Sequence, residues 1–313
     1  MENKIDIVMA VHNGSRFIQE QIESIMNQSY KNWRLIVRDE VSTDNTLELL
    51  RKFKEILKER IVIVHDDIKR GACQNFAKAL ELSDGDYTMF CDQDDFWLPE
   101  KIWKTYEKMM EMESRYGKEI PIYVYTDLTV VDSKLRIIND SFWKYQKLNP
   151  ENGKNLAKLM TYNVTTACTA MINRCLRELA IPIPKEAIMH DCWCAMVASV
   201  FGKVGYLDMA TILYRQHGEN DSGARQYNLR YIIKKTMEYV IGVKKEVFEK
   251  GEIEQAEVFL KRYRDLMAKR DIHVIEDFLS LRKKRFFRNR VVILKNGFFK
   301  PGFLRNIGLL LKA

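Results

Sequence analysis

Tyr87-Thr88-Met89-Phe90-Cys91 runs straight into Asp92-Gln93-Asp94-Asp95, and Phe96-Trp97-Leu98-Pro99 follows without a gap. The first five residues have the length and apolar character of a buried strand. Four acidic or amide residues at its exit place negative charge where α/β folds bind ligands, outside the carboxyl ends of the strands. Carboxylates this dense repel one another unless a cation sits between them. Their oxygens are hard donors suited to Mg²⁺ or Mn²⁺, ions that commonly bridge to substrate phosphates. A solvated acidic turn is the plain alternative. The bulky residues that follow argue against it, since a solvated turn needs no such anchoring, and Pro99 suits the first turn of a helix. The cluster reads as a metal–diphosphate site.

Upstream, Ile5–Val11 is a strand-length run followed by a turn at His12-Asn13-Gly14, and Ser15 is placed to cap a helix bearing Phe17, Ile18, Ile22, Ile25 and Met26. Residues 33–38 form a second strand ending at Asp39-Glu40, and Ser42-Thr43-Asp44 caps a helix with Leu47, Leu50, Phe53 and Leu57. A third strand at 61–64 and a helix over 71–82 lead to the strand before the aspartates. This alternation predicts an α/β protein with a wound, mostly parallel sheet. Downstream, a helix after Glu100 breaks near Gly117 and Pro121. Strands are expected at 122–125, 128–131, 163–171, 204–207 and 211–214, with a helix from Met189 to Phe201 and a mobile loop over 218–223.

The 313 residues are 46% hydrophobic and 30% charged, which suits one large or two modest soluble domains. No apolar run reaches the ~18–20 residues of a membrane span, and no signal peptide is read at the start. The six cysteines lie mostly in apolar segments without a disulfide pattern, and Cys192-Trp193-Cys194 lacks a second pair for zinc. These features point to the cytoplasm. Charge is segregated: residues 228–313 hold 21 Lys+Arg and 10 Asp+Glu, against 30 and 33 in residues 1–227. The chain is therefore divided into a body, 1–225, and a basic helical extension, 226–313.

Several segments together resemble a family 2 glycosyltransferase of the GT-A fold, rhamnosyltransferase-like, across roughly residues 3–225. Val8-Met9-Ala10-Val11-His12-Asn13-Gly14 is similar to its first nucleotide-contacting strand. Arg38-Asp39-Glu40-Val41-Ser42-Thr43-Asp44-Asn45-Thr46 resembles its Asp-Asp-Gly-Ser-Thr-Asp-Asn-Thr segment. Asp92-Gln93-Asp94-Asp95 resembles its Asp-x-Asp motif, His190-Asp191 its catalytic acidic motif, and Tyr214-Arg215-Gln216-His217-Gly218 its metal-side loop. The implied fold is a wound mixed sheet flanked by helices. The implied activity is inverting transfer of a sugar, with L-rhamnose from dTDP-rhamnose as the suggested donor, to a lipid-linked or surface polysaccharide.

The resemblance also implies roles. Asp94 and His217 hold Mg²⁺ or Mn²⁺, and Asp92 faces the ribose or the ion's water shell. Ala10 lies on the nucleotide strand, His12 stacks on the base, and Asp39 accepts the imide N–H of uracil or thymine. Asp191 is the general base; without the resemblance it reads as a helix N-terminal charge. Arg70 is read either as a phosphate partner or as a solvated turn residue, and Trp97 and Trp193 either as acceptor platforms or as core. Glu40 and Val41 replace an Asp and a Gly of the consensus, and valine resists φ > 0, so a reshaped loop is expected there.

From Arg282 onward there are ten basic residues and no acidic one, interleaved with Phe286, Phe287, Phe298, Phe299 and Phe303. An anionic membrane surface on the inner face of the cell membrane is the expected partner. The absence of a nucleic-acid-binding motif disfavours nucleic acid, and packing on the body is the plain reading. The rival functions are a nucleotidyltransferase, which would want a Gly-rich phosphate loop that residues 8–16 lack, and a non-catalytic nucleotide-sugar-binding protein.

Overall fold

The computed structural model describes residues 3–218, 248–283 and 286–313. Its sheet is built around β1 (Ile5–Val11). Alternation along this strand sends Ile5, Ile7, Met9 and Val11 into one core layer and Val8 into the other. β2 (Trp33–Glu40) and β3 (Ile61–Asp66) add in parallel on one side and β4 (Tyr87–Cys91) on the other. The chain therefore reverses direction across the sheet between β1 and β4, the switch point at which such sheets open a crevice. The remaining strands are β5 (Phe96–Trp97), β6 (Ile122–Asp132), β7 (Ile137–Asn139), β8 (Met171–Asn173) and β9 (Lys203–Gln216). The order is β3-β2-β1-β4-β8-β6-β9-β5, with β7 paired to β6. β8 runs antiparallel to both β4 and β6, so the sheet is mixed.

Helices α1 (Ile18–Met26), α2 (Thr46–Leu57) and α4 (Lys101–Tyr116) cover one face. The other face carries α3 (Ala72–Glu81), α5 (Phe142–Gln146), α6 (Leu156–Leu159), α7 (Arg174–Ala180) and α8 (His190–Phe201). Four more helices, α9 (Lys250–Tyr263), α10 (Lys269–Ser280), α11 (Phe286–Asn296) and α12 (Phe303–Lys312), share that second core. Trp193 of α8 packs edge-on to Phe259 at 5.2 Å and tilts onto Tyr263 at 5.9 Å, and Phe278 meets Phe298 at 5.2 Å. The boundary drawn at 225/226 lies outside the described residues, as do residues 219–223 of the expected mobile loop. Among the described residues no helix is long and apolar enough to cross a membrane.

The first four strands fall where the sequence pattern puts them. Elsewhere the structure differs. The pairs 122–125 with 128–131 and 204–207 with 211–214 are each one long strand, β6 and β9, paired in parallel with shifts of register. The strand expected over 163–171 is instead a turn with a short 3-10 segment, Ala167–Thr169, and only Met171–Asn173 joins the sheet. Ser15 does not cap α1, which begins at Ile18 without a side-chain cap; the Ser15 amide donates to Asp44 Oδ2 at 3.0 Å.

The turn after β2 keeps φ > 0 with valine in it: Val41 sits at φ +55°, its amide donating to the Asp66 carbonyl at 3.1 Å. A left-handed non-glycine residue costs about 1–2 kcal/mol, and glycine returns part of that through its greater freedom when unfolded. Val41→Gly is expected to stabilise the fold by about 0.5–1 kcal/mol, raising Tm in thermal unfolding by about 1–2 °C. A lower Tm would mean that the valine methyl groups contribute more packing than the turn loses in strain.

Candidate active site

The four-residue cluster leaves β4 at the switch point, with Asp92, Gln93 and Asp94 half-buried and Asp95 buried completely. Gln93 fastens it to β1. The His12 amide donates to Gln93 Oε1 at 3.0 Å, and Gln93 Nε2 donates to the His12 carbonyl at 3.1 Å. Gly14 is required by this staple, because a Cβ there would lie 2.5 Å from Gln93 Oε1. Asp95 Oδ1 accepts the Arg215 amide at 3.2 Å, while its buried Oδ2 has no hydrogen-bond partner among the described residues. Burial, then the charges of Asp94 and Asp92, push the Asp95 carboxyl well above its ordinary range.

Arg215 holds the end of β9 against this loop. Its buried guanidinium donates to the carbonyls of Asp94 and Ser133, each at 2.9 Å, and to Glu20 Oε2 at 2.6 Å. Two residues on, His217 Nε2 lies 2.7 Å from Asp94 Oδ2, and its ring rests 4.7 Å from that of Phe17. A second grouping brings donor atoms of Asp92, Asp95 and Cys168 within 4.8 Å of one another. Carboxylate oxygens and an imidazole suit a hard divalent cation, and the orphaned Asp95 oxygen marks a place short of positive charge. The Cys168 thiol, raised in pKa by burial and by Asp95, is a poor donor for such an ion. Lys101, which sequence reading overlooked, buries its ammonium 4.5 Å over the Trp97 ring; desolvation lowers it to about 8.

Asp39, the next-to-last residue of β2, is fully buried, taking the Ser42 amide at 3.3 Å and lying 2.8 Å from His65 Nδ1. Half-buried Ala10 on β1 is in register with Arg38, one residue before it. His12 turns Nδ1 to the Glu40 carbonyl at 2.6 Å, with Lys69 Nζ 2.9 Å from Nε2. Glu40 explains its own departure from the family pattern. Its extra methylene carries the carboxylate to the Gly71 amide, at 3.0 Å from Oε2 and 3.1 Å from Oε1, and to the Arg70 amide. Arg70 lies exposed at the rim, ion-paired with Asp66, which Arg38 also holds.

Asp191 lies in the first turn of α8, buried, under three donors. Asn163 Nδ2 donates to Oδ2 at 2.7 Å and the Ala167 amide to the same oxygen at 3.1 Å, while the Cys192 amide donates to Oδ1 at 2.7 Å. Burial outweighs them and raises its carboxyl to about 6. His190 is no rival: it stacks on Phe76 at 4.1 Å and tilts onto Phe90 at 4.8 Å, and burial lowers it to about 3. Ala167 touches Asp191 and the next residue, Cys168, touches the aspartate cluster, so both acidic sites flank one turn. The acceptor reading of the two tryptophans is corrected. Trp97 is 1% exposed and Trp193 fully buried, its indole N–H given to the Ala180 carbonyl, so neither ring has a face for a sugar.

Residues 6–174, a little over half of the chain, match the family model "Glycosyl transferase family 2". The dTDP-rhamnosyl transferase RfbG of Shigella flexneri is 26% identical over 69% of this chain and 74% of its own. The UDP-Glc:alpha-D-GlcNAc-diphosphoundecaprenol beta-1,3-glucosyltransferase WfaP of Escherichia coli is 30% identical over 40% of this chain and 49% of its own. The chain spans less than half the length of several curated relatives that it matches. In structure, S. aureus TarS 1-349 in complex with UDP-GlcNAc superposes with TM-score 0.55 at 15% identity, covering 98% of this chain and 90% of that one. The mannosyltransferase PcManGT from Pyrobaculum calidifontis, in complex with GDP-Man and Mn²⁺, gives 0.52 at 13%, covering 99% and 84%. At such identities the likeness is one of fold, a GT-A mixed sheet flanked by helices. With its match over residues 6–174, the chain belongs to glycosyltransferase family 2.

Proposed function

We propose that the protein transfers a sugar, with inversion, from a nucleotide-diphosphate donor to an acceptor hydroxyl. The observation that carries this reading is the turn at Ala167-Cys168, with the Asp191 carboxylate on one residue and the aspartate cluster on the next. Asp191 takes the proton of the acceptor hydroxyl as its oxygen attacks the anomeric carbon. The bond from that carbon to the diphosphate breaks, and its electron pair leaves with the diphosphate. Asn163 and the amides of Ala167 and Cys192 orient the carboxylate for this. Asp94 and His217, with Asp92 beside them, would hold Mg²⁺ or Mn²⁺, which when bound supplies Lewis-acid charge for the leaving group. Asp39 accepts the imide N–H of uracil or thymine, His12 stacks on the base along Ala10, and Arg70 shares its guanidinium with a phosphate oxygen.

The name of RfbG supports dTDP-rhamnose as donor, and that of WfaP a diphospholipid-linked acceptor. With such an acceptor the enzyme works at the inner face of the cell membrane as a peripheral protein. The test is purified protein with Mn²⁺ on a panel of nucleotide sugars, scored by release of nucleoside diphosphate. Release of inorganic diphosphate from a nucleoside triphosphate would make the chain a nucleotidyltransferase instead, and binding without turnover a non-catalytic protein.

Asp94→Ala is expected to lower transfer by roughly 10²-fold or more, the scale of losing metal-centred charge stabilisation. It should also remove the Mn²⁺ dependence of nucleotide binding by calorimetry. Full activity in this variant, or in excess EDTA, contradicts the assignment.

Asp191 works only when charged, so with its pKa near 6 the wild-type kcat/KM should fall about tenfold for each pH unit below that value. Asp191→Asn should cut kcat by roughly 10²-fold or more while leaving donor Kd unchanged. Loss of donor affinity with kcat preserved would make Asp191 a binding residue.

A further inference from the structure

Helix α11 turns two different faces to its surroundings. Val292 and Ile293 are buried in the second core, alongside Asn289 and the following Phe298. The opposite stripe is apolar as well, yet it faces solvent: Phe287 is 80% exposed, Val291 63% and Leu294 58%. Their spacing of four and three residues places them on one line along the helix. α12 repeats the pattern with Ile307 and Leu311, exposed and four residues apart. Large exposed side chains elsewhere stand singly, such as Ile56, Ile68 and Met209, or as the neighbours Ile137 and Ile138 of the short strand β7, which is ordinary for a surface. Two short helices with continuous apolar outer stripes are not.

Charge identifies what these stripes meet. Lys283, Arg288 and Lys295 flank the α11 stripe, all exposed, Lys295 also lying 3.4 Å from Asp277 Oδ2, and no acidic residue occurs after Arg282 in the sequence. A second copy of the chain would bring an equally basic stripe against the first, and like charges across an interface oppose association. A nucleic acid would use the cations and leave the aliphatic side chains in water. An anionic bilayer satisfies both, since headgroup phosphates meet the cations and the acyl boundary takes the apolar side chains.

We propose that the outer stripe of α11, with α12 beside it in the chain, is the surface by which the protein docks on anionic lipid. Phe287, Val291 and Leu294 enter the boundary between headgroups and acyl chains, and Lys283, Arg288 and Lys295 meet phosphates above them. This deepens the membrane placement given under the proposed function, and rests on it. Because the inner side of α11 is core, docking holds the body in a fixed pose on the lipid and does not tether it through a loose tail.

Deleting the tail would strip that core, so point substitutions on the outer stripe are the test. Full-length protein, Phe287→Ser/Val291→Ser/Leu294→Ser, and Arg288→Gln/Lys295→Gln are sedimented with vesicles of phosphatidylcholine alone or with about a quarter phosphatidylglycerol, at ~50 and ~500 mM salt. The wild type should bind the anionic vesicles. The serine variant should lose about tenfold or more of that binding at both salts, and the glutamine variant, in which Lys283 remains, should narrow the difference between low and high salt. Tm and release of nucleoside diphosphate, read without vesicles, should stay at wild-type values in both variants. Wild type that binds while the serine variant binds equally overturns the docking surface and leaves the membrane placement standing. Wild type that ignores anionic vesicles overturns both. In that case, retention on an oligonucleotide assigns the basic face to nucleic acid, and a dimer dissolved by the serine changes assigns the stripe to a second copy.

Discussion

Asp95 is held wholly out of water beside two half-buried aspartates, an arrangement that repels itself strongly unless a proton or a cation intervenes. The neighbourhood is built to tolerate it. The Arg215 amide meets one oxygen, the Arg215 guanidinium braces the loop through the Asp94 carbonyl, and the buried Lys101 ammonium lies on the same side of the sheet end. In bracing the loop, Arg215 also delivers His217 to Asp94. A repulsive cluster thereby becomes a shaped one, and Gln93 ties it to β1, so the ends of the two strands that define the crevice move as one body.

Asp191 follows the same physics with a different outcome. It too is buried, but three N–H donors surround it and no second carboxylate is bonded to it, so its carboxyl rises only to about 6. Cys73, Cys192, Cys194 and Tyr123 face it, and burial holds each of them neutral, which leaves Asp191 the ionisable member of its pocket near neutral pH. One carboxylate held among others suits a cation; one held alone suits a proton. The two environments separate the roles of chemically identical side chains.

Much of this was legible beforehand. β1 to β4 could be read because buried parallel strands are short apolar runs between turn residues, and the acidic cluster because its charge begins where the run stops. The stretch 163–171 misled because Thr and Cys residues of strand-like propensity are spent on a turn. There the Thr165 amide bonds Asn163 Oδ1 and the Ala167 amide bonds Asp191, contacts with no local periodicity. Gln93 sat inside the cluster that drew attention, but its partner is a backbone 81 residues away. Arg215 acts through partners as distant or more so, and Asn163 through Asp191, 28 residues on. Trp97 and Trp193 show the limit of residue type as a guide: a ring that could stack on sugar serves equally well to fill a core.

Glu40 carries a consequence for how a ligand would be met. By taking the amides of Arg70 and Gly71 it fixes the backbone of the β3–α3 connection before anything binds, and Asp66 holds the Arg70 guanidinium in place. An aspartate at position 40, one methylene shorter, would leave that connection to be ordered by the ligand itself. Ordering a long side chain and its loop on binding takes about 0.5–1.5 kcal/mol for the side chain alone. If Arg70 meets a phosphate as proposed, that entropy has been lost at the folding stage, the rim arginine is already set, and association there would approach the meeting of two rigid partners.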